Sequence, residues 1–172
     1  MIALFALAAL AAVTPQAANP VIAGHGAIHP VPDAANRPDP AVDYKVVFSI
    51  TTVNPAGKAN PGLEKVARLI NLLGDGGVPT GHRHIVPIVH GGATPLVLNA
   101  KAYAARFHGA ANPDADLIAK LKAAGAPVHI CAQALAGFGI AADQVDSDVI
   151  VDDSALTTMA TLQLKGYALI AD

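Results

Sequence analysis

The chain has 172 residues, 53% of them hydrophobic and 14% charged, with a formal net charge of −2. That is enough for one domain with a well-buried core, and it excludes a disordered chain. Its 11 Lys and Arg residues are scattered, and it has no Trp and few aromatics. The phosphate-neutralising stripe and the base-stacking platform of a nucleic-acid binder are therefore excluded.

Ile2 to Val13 is an unbroken apolar run followed by Thr14-Pro15 and small residues. Its length suits the core of a signal peptide and falls short of the roughly 18–20 residues that span a bilayer. No Lys or Arg precedes the run, and both Gln16-Ala17-Ala18 and Val21-Ile22-Ala23 are acceptable cleavage sites. A buried N-terminal helix is the competing reading. Export is preferred: residues 1–23 are expected to be a signal peptide, and the processed chain to be periplasmic or secreted and not membrane-spanning. Residues 24–43, with prolines at 30, 32, 38 and 40, are expected to form an extended linker or arm, either mobile or laid along a neighbouring subunit.

The domain is placed at 44–172. Lys45 to Ile50 is β-branched-rich and reads as a strand. A Gly/Pro/Asn-rich loop follows, then Asn60 as N-cap with Pro61 at the first helical position. Leu63, Val66, Ala67, Ile70 and Leu73 line one face of that helix, and Gly74, Gly76 and Gly77 end it. Ile85 to His90 is a second strand, which Pro87 pushes toward an edge or a bulge. A helix is predicted from about Thr94 to Phe107, and another opens at Asn112-Pro113 and stops at Gly125, with acidic residues early and lysines late, as the helix dipole favours. Val128 to Cys131 is the third strand, Ala132 to Phe138 a short helix or turn, and Asp148 to Asp152 the fourth strand. Ser154 caps a helix through Lys165 with Leu156, Met159 and Leu162 facing inward, and Tyr167 to Ile170 closes the sheet. Strands alternating with helices predict an α/β single domain: a mainly parallel five-stranded sheet flanked by helices on both faces.

Ligands in open α/β sheets bind beyond the carboxyl ends of the strands. Those ends carry Ser49 and Thr51-Thr52, then His90-Gly91-Gly92, then Cys131, then Asp152-Asp153-Ser154. Cys131 is the only cysteine, so it forms no intramolecular disulfide. It is core packing, a link between chains, or a reactive thiol favoured by the helix N-terminus beyond it. His90 is the candidate assisting residue if its strand end adjoins that of Cys131. His82 and His84 form an H-x-H pair that could bind metal together with His90, but no fourth ligand of fixed spacing accompanies them, so no metal and no cofactor is assigned. The glycines at 74, 76 and 77 do not follow a strand and make no dinucleotide fingerprint. There is no P-loop and no G-x-S-x-G element.

Val128-His129-Ile130-Cys131, followed by the small-residue stretch Ala132 to Gly139 and Ile140, resembles the DsrE/DsrF-like family. The resemblance extends to Lys45-Val46-Val47-Phe48, to Val89-His90-Gly91 and to the closing Ser154-Ala155-Leu156 and Leu162 to Tyr167 segments, so it spans 44–172. It implies a DsrE-like fold and a homo-oligomer, a trimer or hexamer. In the sulfur-relay members a cysteine after the third strand accepts sulfane sulfur as a persulfide, and Cys131 matches that position. The resemblance therefore implies an accessory sulfur-handling protein, at most a sulfur carrier or transferase-like protein, with a sulfur donor or acceptor protein as partner. The relay proteins work in the cytoplasm, and an exported thiol would meet an oxidising compartment. The alternative is a non-catalytic oligomeric module that binds a small ligand or metal, with a structural Cys131.

Overall fold

The computed structural model describes residues 21–172; the apolar run Ile2 to Val13, and all but the last three residues of the expected signal peptide, lie outside them. Five strands form one sheet: β1 (Tyr44–Ile50), β2 (Arg83–Val89), β3 (His129–Cys131), β4 (Ile150–Asp152) and β5 (Ala168–Ala171). Their spatial order is β4-β3-β2-β1-β5, and every pair is parallel. The helices are α1 (Pro61–Asp75), α2 (Ala100–Arg106), α3 (Ala115–Ala123), α4 (Ala132–Gly137) and α5 (Ala155–Leu164). The predicted single α/β domain with a five-stranded parallel sheet is what forms.

From β1 to β4 the chain marches one way across the sheet. The last crossover, through α5, returns from the β4 edge to the β5 edge. A right-handed crossover that reverses direction must run over the opposite face. The two faces are therefore covered unequally. Val46, Phe48, Ile50, Ile85, Val89 and Ile130 pack under α1–α4 in the main core. On the other face Val47, Ile88, Cys131 and Ala155 form a small cluster with Met159 and Leu162 of α5. Leu156, expected to point inward, is 78% exposed, because one helix crossing five strands cannot bury all its apolar positions.

Pro87 sits in the sheet interior, between β1 and β3, with no bulge: the β1–β2 register runs unbroken from Tyr44 opposite Arg83 to Ile50 opposite Val89. The His90 N–H donates to Ile50 O. By alternation the missing donor of Pro87 faces the β3 side, where pairing begins only at Ile88 opposite His129. No ladder bond is lost, which is why the proline is tolerated there. The single helix expected over 94–107 divides into a 3-10 segment, Gly91–Val97, and α2. Pro95 lies within the former, and the Asn99 side chain caps the latter by accepting from Ala102 N. Asn60 caps α1 as expected, its Oδ1 accepting from Gly62 N and Leu63 N.

The proline-rich arm lies against its own domain. Asn71 in α1 is fully buried; its Oδ1 accepts from Val21 N and Ile22 N, and its Nδ2 donates to His25 O and Gly26 O. Ile22 and Ile28 are buried. His25 bridges Glu64 of α1 at 2.6 Å and Asp116 of α3 at 2.9 Å.

Candidate functional site

Cys131 ends β3 and stands at the N-cap position of α4. β3 pairs with β2 through Ile88 opposite His129 and Val89 opposite Ile130. One step further in that register brings His90 beside Cys131. On the other side Cys131 is paired with Asp152 of β4. Alternate strand residues share a face, and Val47, Ile88 and Cys131 lie together in the α5-side cluster. His90 and Asp152 therefore flank the thiol in one row on that face, and Ser49, opposite Ile88, lies on the same face two residues back along β1. The sequence expectation that these strand-end residues converge holds for this row.

On that face His90 makes a short polar contact. His90 Nε2 and Ser49 Oγ are 2.9 Å apart, and the His90 backbone is extended, so the alternation of β2 continues through it. Burial pushes the His90 pKa below the ordinary histidine range, against the opposing pull of Asp172. At neutral pH its imidazole is uncharged and able to take up a proton.

A second histidine contact went unpaired in the sequence reading. His129, two residues before Cys131 on the same face, has its Nδ1 2.9 Å from Asp152 Oδ1. A carboxylate accepts, so Nδ1 is the donor; in the neutral ring Nε2 is then left with its lone pair. The signal was present in the two-residue spacing of His129 and Cys131, but the partner depends on a β3–β4 register that no local pattern encodes.

Cys131 itself is only 6% exposed, against Val47, Ile88 and Ala155. The helix end beyond it is weaker than the sequence suggested: α4 has six residues, so few peptide dipoles align there.

The H-x-H pair is elsewhere. His84 is the second residue of β2 and His82 directly precedes the strand, at the amino ends of the strands, so neither shares the rim with His90. Both approach Asp43, His82 Nδ1 at 3.3 Å and His84 Nε2 at 3.7 Å. Among the described residues no group of three or more His, Cys, Asp and Glu side chains is placed to hold a metal ion. Among the same residues no helix is long and apolar enough to cross a membrane.

No curated protein matches the chain significantly. A solved structure of a protein of unknown function from Methanobacterium thermoautotrophicum is similar in fold, with a TM-score of 0.56 at 21% identity. The match covers 76% of this chain and all of that one. The sequence model of the DsrE/DsrF-like family matches residues 45–171, from the second residue of β1 to the end of β5. With the sheet, its strand order and the strand-end cysteine all inside that span, the chain belongs to the DsrE/DsrF-like family.

Proposed function

We propose that this protein is a sulfur carrier in which Cys131 accepts sulfane sulfur from a persulfide donor. The observation that carries the reading is the row on the α5 face: by register His90 adjoins Cys131, whose other neighbour, Asp152, bonds His129. In the transfer, neutral His90 takes the thiol proton. The Cys131 thiolate then attacks the outer sulfur of the donor persulfide. The donor S–S bond breaks, its electron pair leaves with the donor thiolate, and a new S–S bond forms at Cys131. His90 returns the proton to the departing thiolate. No net oxidation occurs, so no external oxidant is required.

A second reading, a structural thiol, is favoured by burial, since free cysteine often serves as a small core hydrophobe. Alkylation of the native protein with iodoacetamide across pH separates the two. The carrier reading expects modification without unfolding, slowed at least about tenfold near neutral pH in His90→Gln. That deficit should shrink as pH rises and hydroxide replaces the histidine as the base. A thiol modified only in denaturant would overturn the carrier reading.

The carrier is further proposed to be a homo-oligomer. Leu156 and Leu164 of α5 are 78% and 90% exposed, and Ile150 and Leu169 at the two sheet edges lie on the α5 face by register. An apolar surface of this kind, left by a single covering helix, is what a second copy would bury.

A further inference from the structure

On the face of the sheet away from Cys131, a pocket of about 380 Å³ opens beyond the carboxyl ends of β1 and β2. Its walls come from three segments: Val53 to Gly57 after β1, Gly92 to Leu96 except Thr94 after β2, and Ala110 to Pro113 except Asn112 before α3, with Tyr103 and Phe107 of the α2 region between them. We propose that this pocket binds a small neutral aromatic molecule carrying a single hydrogen-bonding oxygen.

The volume falls within the range of small-molecule sites, and the position is where open α/β sheets receive ligands. No charged side chain lines it, so an ionised ligand would be desolvated without a counter-charge. Two lining side chains are polar. The Asn54 amide is already spent: its Nδ2 bonds Asp114, and its Oδ1 accepts from Asn60 Nδ2 at 2.8 Å. Tyr103 carries the only hydroxyl of the lining. Burial and the charge of Asp114 push its phenol above the ordinary tyrosine range, so it stays protonated and able to donate. The Tyr103 and Phe107 rings lie with centroids 4.4 Å apart and tilted by 33°, forming an aromatic wall.

The walls are fixed in place. Asp114 is fully buried; its Oδ1 accepts from Asn60 N at 2.7 Å and its Oδ2 from Asn54, tying the β1–α1 loop to the start of α3. Gly92 lets the opposite segment approach: a Cβ there would stand 2.9 Å from Val53 Cγ2. Pro55, Pro95 and Pro113 stiffen all three segments. A preformed pocket of this kind loses little entropy on binding.

The test is calorimetric titration of the full-length protein with 2-naphthol and with 2-naphthoate. The expected result is saturable binding of 2-naphthol, with 2-naphthoate at least tenfold weaker. Tyr103→Phe should weaken 2-naphthol about fivefold. Ala56→Phe and Ala110→Phe, exposed changes on opposite walls, should each abolish the heat of binding. Cys131→Ser should leave it unchanged, which separates this site from the thiol. Absence of saturable binding, equal affinity for 2-naphthoate, or binding that survives both wall substitutions would overturn the proposal.

Discussion

His25 illustrates what a single side chain does here. Burial alone would lower its pKa, but Glu64 and Asp116, one on each ring nitrogen, outweigh it and hold the pKa above 6.5. With both nitrogens facing carboxylates, the ring is best served as an imidazolium. A raised folded-state pKa favours the protonated form. The stabilisation is therefore fully present below about pH 6.5 and is lost as pH rises through the folded value. Melting temperatures of the wild type and His25→Gln should differ most near pH 6 and converge as pH rises; a gap that widens with pH would contradict this. The sequence offered no reason to single out His25, because its partners are 39 and 91 residues away. His90 was legible, since strand-end position and a polar residue type coincide there. The His129–Asp152 contact was not, as it depends on register between strands of three residues each.

At the scale of elements, the arm and α1 behave as one unit. The Asn71 amide, fully buried, satisfies four backbone groups: His25 O and Gly26 O of the arm, and Val21 N and Ile22 N just before it. Gly26 runs against α1 so closely that a Cβ would lie 2.3 Å from Arg68 N, at a φ of +56° that suits glycine. Asn71→Ala should cost about 2–4 kcal/mol in denaturant melts, because the arm donors and acceptors lose a buried partner. It should also open residues 24–43 to limited proteolysis. A loss below about 0.5 kcal/mol with an intact arm would refute the account of docking. Proline content described the arm as extended and had no bearing on what it touches. Elsewhere, local chemistry was a good guide at Asn60 and Ser154, which cap helices through their side chains, whereas Asn99 caps a helix inside the stretch read as continuous and α3 begins at Ala115 rather than at Asn112-Pro113. Pro87 misled for a physical reason, since a parallel strand presents successive N–H groups to alternate sides, and which side is answered depends on where the neighbouring strand begins.

For the whole molecule, the direction of the last crossover decides the surface. Alternating strands and helices implied a parallel sheet with both faces covered, but not the β4-β3-β2-β1-β5 order that leaves α5 alone on one face. The same order puts Cys131, His90 and the exposed Leu156 and Leu164 on that face, so the proposed assembly would also bear on access to the thiol. Leu164→Glu, a change at a 90% exposed position, should leave the fold intact while shifting the protein to monomer in sedimentation velocity. An unchanged sedimentation coefficient would contradict the proposed assembly through this face. The central claim is sulfur acceptance at Cys131. It is tested most directly by the intact mass of native protein after incubation with glutathione persulfide. The account predicts a gain of one sulfur atom per chain, reversed by dithiothreitol and absent in Cys131→Ser. No gain in the wild type, or the same gain in Cys131→Ser, would contradict it.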